Sequence, residues 1–375
     1  MARVRVTWRQ VTRWRAGRQL LTGREPDPVA VARRLCGIHA QVTSCGVGIA
    51  QVRGAADPET ATWTDRTLVR TWAMRGTLHL LPADELELWT GALTDRESRR
   101  RFPPSWEREH GVTGEDLHAI TDAVGEVLGA TPMSRAELSA AVQSRLGRTD
   151  LAGPLATGWG ALLKPAAARG LLCSGPADGQ TSTFVSPAAW LGRAVTGLDA
   201  GTANREVLLR FLSVNGPATT ADVARWWGEQ PAPARRWARS CADDLTEVEV
   251  DGESGYLVAR SDAEELAAVP DGGTHPGDGP FLLPGFDPWV IAPLSHRRRA
   301  IPDGREKDVS RTAGWISPVL VVDGRVAGVW DRDGDRIRVR LLAPLPTATR
   351  RAVETLARPA GVDWTWSGTD GRERG

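Results

Sequence analysis

Lysine is nearly missing from this chain of 375 residues: of its 47 lysines and arginines, only Lys164 and Lys307 are lysines. Any mechanism that runs through a lysine Schiff base therefore has two candidates. Cysteine is scarce as well. Cys36, Cys45, Cys173 and Cys241 are scattered, with no CxxC pair, which argues against a zinc site and a disulfide framework. No metal and no cofactor is expected. No apolar run approaches the length of a membrane span, and Met1 to Gln10 lack the apolar core of a signal peptide. A cytoplasmic protein with no membrane partner is the expectation. A net charge of +1 gives no overall field that advertises nucleic acid.

The distribution of charge says more than its sum. Residues 1–24 hold seven arginines and no acid. Arg96, Arg99, Arg100 and Arg101 form a second cluster, and Arg297, Arg298 and Arg299 a third, with Arg305, Lys307 and Arg311 nearby. Each patch alone reads as a solvated face. Three in a near-neutral chain predict one charged surface built by folding. At 41% hydrophobic and 25% charged, the chain can bury a real core, and its length suits two or three domains or one large composite. Tryptophan is abundant, at 16; most read as packing anchors, and an indole can also stack on a base.

Apolar spacing and capping signals predict helices over 7–21, with Thr7 as N-cap, and over 28–38, opened by Pro28. Residues 47–53 read as a short helix or strand, and 70–81 as two short strands about Arg75-Gly76, the position of a wing. Helices at 115–128, from a Ser134/Glu137 capping box to Leu146, and at 156–169 precede a hairpin, 171–173 with 183–185. The same order of helix, capped helix, helix and hairpin recurs from Asn204 to Ala259, turning on Asp251-Gly252. The reading is α+β: three tandem winged-helix units at 1–110, 111–198 and 199–270, then a loop or linker over 270–280. A β-rich C-terminal piece follows at 281–366, with a hairpin across Asp323-Gly324 and a helix near 347–357. The polar tail from Ser367 is expected to fray.

Gly37-Ile38-His39-Ala40-Gln41-Val42 carries two hydrogen-bonding side chains two residues apart. In extended backbone they project to one side, so imidazole and carboxamide can point together into a cleft. Taken locally, the same residues also read as the polar end of a helix. His79 reads either as a satisfied strand histidine or as a DNA contact, and Asp287 either as a turn cap or as a residue orienting a cleft group. Arg75 at the hairpin tip and Arg297, Arg298 and Arg299 are phosphate candidates.

Four stretches together resemble one family: residues 37–42, residues 70–80, Leu282-Leu283-Pro284-Gly285-Phe286-Asp287-Pro288, and Gly314-Trp315-Ile316-Ser317-Pro318-Val319 before Gly328-Val329-Trp330. From about residue 7 to 345 the chain resembles the AlkZ/YcaQ-like winged-helix DNA glycosylases. The resemblance implies a C-shaped arrangement with a basic channel for double-stranded DNA. It also implies hydrolysis of the N-glycosidic bond of alkylated, N7-substituted purines, extending to bulky adducts and interstrand crosslinks. The family's catalytic Gln-x-Gln or Gln-x-Asp pair falls on His39 and Gln41, with histidine where the family has its first glutamine.

An N7-alkylated guanine is cationic and already a good leaving group. What remains is an oxocarbenium-like transition state and a water to trap it. Gln41 is expected to position that water, and His39 to act as base or orienter. With two lysines, a monofunctional enzyme leaving an abasic site is expected, acting as a monomer, nucleoid-associated through its DNA. The competing reading is a non-catalytic winged-helix DNA-binding protein or transcription regulator; a third is a ligand-sensing scaffold that no longer binds DNA.

Overall fold

The computed structural model of the chain describes residues 4–156, 160–291, 293–357 and 363–368. It is an α+β protein, with many helices and four small sheets among the described residues. The chain folds into two compact units: one made of residues 36–41 and 57–207, the other of 1–35, 42–56 and 208–375. The segment expected as one unit at 1–110 is thus divided between the two.

In the first of these units, the strand Leu78–Pro82 lies between Ile38–His39 and Leu68–Trp72, antiparallel to both. Leu68 and Val69, like Leu80 and Leu81, are consecutive and all buried, so both faces of this small sheet are covered. Ala73–Thr77 turns the hairpin with Arg75 and Gly76 both at positive φ. The short strand Ile38–His39 is entered through Cys36 and Gly37, also both at positive φ. At Gly37 a Cβ would lie 2.8 Å from a Leu81 methyl, so glycine is required by conformation and by space.

The remaining elements follow the expected order. The helix Gly114–Val127 starts at a capping box of Thr113 and Asp116, and Arg135–Leu146 at the box of Ser134 and Glu137. Leu117, Ile120, Val124, Leu138, Val142 and Phe184 form their common core. The expected helix over 156–169 is instead Ala152–Ala156 and Lys164–Ala168; residues 157–159 lie outside the described residues. Gly160 at positive φ separates the two, and Pro165 sits in the first turn of the second, where its missing N–H costs nothing. The hairpin Cys173–Asp178 with Thr181–Val185 closes this part.

The second series runs through Ala200–Asn215, Thr220–Trp227, Pro231–Ser240 and the hairpin Leu245–Val250 with Glu253–Ala259. Its turn has positive φ at Asp251 and Gly252, the type I′ geometry that Asp-Gly favours. Asp323-Gly324 repeats this turn between Val319–Val322 and Arg325–Asp333. Residues 47–53, readable as either helix or strand, belong to the helix Thr43–Gln51 and its end.

Two of the strands that were not expected pair with distant segments. Val4–Val6 adds in parallel to Leu245–Val250, and Asp363–Ser367 adds in parallel to Arg336–Leu341. Both pairings join separate parts of the chain, and neither segment is long enough to announce itself by alternation. The expected fray of the tail falls, beyond Gly368, outside the described residues.

The N-terminal arginines depart furthest from expectation. Arg13 is buried, donating to the carbonyls of Pro270, Gly272 and Gly273 and to the Asp278 carboxylate at 2.7 Å. Arg15 is buried against Trp289, its guanidinium 4.4 Å from the ring centre. Arg18 bonds Asp262 and Glu265. These three tie down residues 270–278 and neighbouring elements instead of forming a solvated basic face. An arginine pattern does not show whether its carboxylates and carbonyls lie at the far end of the chain.

Candidate functional site

The strand Ile38–His39 is brief because its ladder is completed by side chains. Ala40 N–H donates to the Leu78 carbonyl at 2.8 Å. In a regular antiparallel pair Leu78 N–H would donate back to Ala40. Here Leu78 N–H goes to the Gln41 carboxamide oxygen at 3.1 Å, and the Ala40 carbonyl accepts from Arg70 Nη2 at 2.9 Å. The chain can therefore leave the sheet at Gln41 without orphaning either group. Gln41 stays solvent-exposed with its carboxamide held at one end, which aims the amide nitrogen.

His39 faces His79 across the two strands. Positions between the hydrogen-bonded pairs bring side chains closest, and the two rings stand 5.2 Å apart, edge to face. Both are buried. The His79 Nδ1 lies 2.9 Å from the Thr77 carbonyl, so that nitrogen carries the proton and donates. His79 thus braces the His39 ring and the hairpin turn from inside. Burial, with the nearby Arg75 cation adding to it, lowers the His39 pKa to about 3. Burial and then the neighbouring His39 likewise push His79 well below its ordinary value. Both rings are neutral at physiological pH.

The hairpin tip is the most cationic part of this neighbourhood. Arg75 is on it, Arg96 Nη1 reaches the Ala73 carbonyl at 3.4 Å, and the Lys164 amine packs against Gly76, 3.3 Å from where a Cβ would stand. Burial and then the cations of Arg100 and Arg96 lower the Lys164 pKa. Glu97 is the carboxylate nearby, shared by Arg96 at 3.6 Å and Arg100 at 3.2 Å. Arg70, Arg96 and Lys164 were not singled out for this site from the sequence. Arg70 lies inside one of the four motif stretches, a signal that could have pointed to it; nothing in the sequence places Lys164 beside Gly76.

The remaining candidates belong to the other unit. Asp287 is fully buried. Its carboxylate pairs with Arg53 at 2.8 Å and accepts the Trp289 N–H at 2.9 Å, so it caps the short helix Pro288–Ile291 and neutralises a buried cation. Arg297, Arg298 and Arg299 lie on the helix Leu294–Ala300. Arg298 is exposed. Arg299 is held by Glu253 and lies over Trp8, 4.0 Å from the ring centre. Burial, with Arg225 close by, lowers the Arg297 pKa.

The buried histidines predict a pH dependence of stability. An unfolded histidine titrates near about 6.5. In the folded chain His39 stays neutral down to about pH 3, and His79 and His296 are shifted the same way. Between these values the unfolded chain binds more protons, so stability is full above about pH 6.5 and falls as pH drops toward 3. Denaturant midpoints measured from pH 8 to pH 4.5 should decline below about 6.5, and the decline should shrink in a His79→Gln variant. A midpoint flat to pH 4.5 would refute the burial of these rings.

Among the described residues no helix is long and apolar enough to cross a membrane, and no three His, Cys, Asp or Glu side chains converge on a position for a metal ion.

Three comparisons bear on what such a site does. Residues 32–360 match the family described as DNA glycosylase AlkZ-like. The chain is 35% identical over 365 residues to an interstrand DNA cross-link repair glycosylase of Streptomyces sahachiroi, covering 95% of each protein. Its fold superposes on the solved structure of the Streptomyces sahachiroi DNA glycosylase AlkZ with a TM-score of 0.84 and 34% identity, over 97% of this chain and 100% of that one.

Proposed function

This chain belongs to the AlkZ-like DNA glycosylase family and is a DNA glycosylase, and from that premise we propose that it hydrolyses the N-glycosidic bond of N7-alkylated purines in duplex DNA, with Gln41 and His39 as the reacting pair. The relative named for cross-link repair supports extending this to interstrand crosslinks. The observation that carries the reading is the Gln41 carboxamide, exposed yet pinned by Leu78 N–H, next to a strand end that carries a neutral, buried imidazole.

The chemistry asks little of a protein acid. The bond from C1′ to purine N9 breaks, and its electron pair neutralises the cationic base. Water oxygen then bonds to C1′ and releases a proton. Gln41 holds that water by hydrogen bonding. His39 is too weakly basic to take a full proton before the bond forms, so its role is that of a neutral acceptor that orients the water. The low proton affinity also weighs against His39 as a phosphate-binding cation.

The two series of helices and hairpins, 114–185 and 200–259, serve as winged-helix units on the DNA, with a third drawn from the segment 1–110, and the protein acts as a monomer. Arg75, Arg96 and Lys164 at the hairpin tip contact phosphates, as do Arg297 and Arg298 in the other unit. The cations of Arg100 and Arg96 bear on the Lys164 amine, with Glu97 offsetting them in part, and an anion would relieve that repulsion. Lys164→Gln is expected to weaken binding of damaged and undamaged duplex alike and to reduce the slope of log K against log salt by about 0.9. An unchanged slope would remove Lys164 from the DNA contacts. The enzyme is monofunctional, and borohydride trapping of Lys164 or Lys307 on DNA would overturn that.

The decisive assay uses duplex DNA carrying a single N7-methylguanine. Release of the free base and a heat-labile abasic site are expected. Sequence-specific binding of undamaged DNA without base release would favour a regulator.

A further inference from the structure

Trp315 is the one exposed tryptophan among the described residues, with 41% of its surface open. The tryptophans elsewhere are buried or half-buried against aromatic, cationic or core neighbours, as Trp72 is on Phe184 and Trp227 on Trp237. The turn that carries Trp315 is tightly closed. Trp315 N–H donates to the Thr312 carbonyl, Arg311 N–H donates to the Trp315 carbonyl at 2.8 Å, Ser310 bridges to Ile316, and Gly314 is at positive φ.

Beneath the indole lies Phe286, edge to face at 5.2 Å. Phe286 holds φ at +61°, a conformation that a bulky side chain rarely adopts and that persists only where its surroundings impose it. The next residue, Asp287, is locked by Arg53 and Trp289 N–H. On the other side, a Cβ on Gly285 would come within 2.9 Å of the Ile316 carbonyl and 3.3 Å of Cys45 Sγ, so the two loops meet as closely as backbone allows.

A strained phenylalanine, a buried ion pair and an obligatory glycine thus fix an apolar ring that faces water. The edge-to-face contact with Phe286 anchors the indole but leaves 41% of it open to water, and backbone strain of this kind gathers where a surface is held ready for a ligand. A flat aromatic ligand fits such a surface. Building on the glycosylase reading, we propose that Trp315 is a stacking residue for a nucleobase unstacked at the lesion. Aromatic stacking is indifferent to base identity, which suits an enzyme that must act in any sequence.

The test compares Trp315→Phe, Trp315→Leu and Trp315→Ala in two assays. One is binding to a duplex carrying a tetrahydrofuran abasic analogue opposite 2-aminopurine, relative to undamaged duplex. The other is single-turnover release of N7-methylguanine. The leucine and alanine variants should lose about tenfold or more of the preference for the lesion duplex, together with the 2-aminopurine fluorescence change; phenylalanine should keep both within about threefold. Leucine preserves apolar packing but cannot stack, so a leucine variant that behaves as wild type would overturn the proposal, as would an alanine variant with undiminished preference. If alanine fails to fold, the phenylalanine and leucine pair decides. The binding assay needs no catalysis, so a wild type that releases no N7-methylguanine would sink the reaction proposed above without touching this one.

Discussion

Gln41→Ala is expected to lower single-turnover release of N7-methylguanine by about 10²–10³-fold while leaving affinity for the duplex nearly unchanged. That range is typical of removing one pre-positioned hydrogen-bonding group from a reacting centre. The pre-positioning is visible: the carboxamide oxygen is held by Leu78 N–H, so the side chain does not have to be ordered when DNA arrives. The alanine also leaves Leu78 N–H without its partner, near a sheet edge where water can replace it. Stability should therefore drop by no more than about 1.5 kcal/mol. A large loss of rate with a small loss of stability separates a role in chemistry from a role in holding the hairpin. Equal rates in mutant and wild type would remove Gln41 from the reaction.

His39 is the finer part of that expectation. If its neutral imidazole orients water, His39→Gln should retain activity within about tenfold, because a carboxamide also accepts a hydrogen bond, whereas His39→Ala should fall toward the Gln41→Ala level. The rate should be flat between pH 6 and 8, since a group that titrates at about 3 does not change charge there. A rise in rate with a midpoint near about 6.5 would show His39 acting as an ordinary base after all.

What could be read from the sequence follows the range of the interactions involved. The capping boxes at Thr7, Ser134, Thr113 and Thr219 act within one helical turn, and of these the Ser134 box was visible in full as a local pattern. The Asp-Gly turns at 251–252 and 323–324 were likewise legible, because left-handed backbone at both central positions selects those residues. The His39 and Gln41 pair stood out by its spacing, and its proposed catalytic role came from the family resemblance. Its arrangement was not legible, because it depends on register with His79 and Leu78, on a strand that the chain reaches only after several intervening elements. The same holds for the Lys164 amine at Gly76, for Val4–Val6 beside Val248, and for Arg13 reaching Asp278. A charged side chain looks alike in sequence whether it meets water or a partner from the opposite end of the chain, and here several arginines meet partners.

Asp287→Asn is expected to be the most destabilising single change discussed, at roughly 3–5 kcal/mol, measured by denaturant titration. Arg53 and Asp287 are both wholly buried. Taking charges of this kind out of water costs several kcal/mol each, and their mutual attraction offsets that cost only while both are present. Asparagine can still accept the Trp289 N–H, but it leaves the guanidinium uncompensated. Arg53→Met should be comparably harmful, since it strands the carboxylate and removes donors to the Gln19 and Ile49 carbonyls. Combining Arg53→Met with Asp287→Asn removes both charges, so the double variant should be milder than the two losses added together, with a coupling of about 2 kcal/mol or more. A single Asp287→Asn variant within about 1 kcal/mol of wild type would contradict the buried pair. The same proteins separate the two roles considered for Asp287. Below their melting temperatures, a base-release rate per folded molecule equal to wild type makes the carboxylate a cap and counter-ion. A reduced rate that Asp287→Glu restores makes it a positioning residue for the loop that carries Phe286.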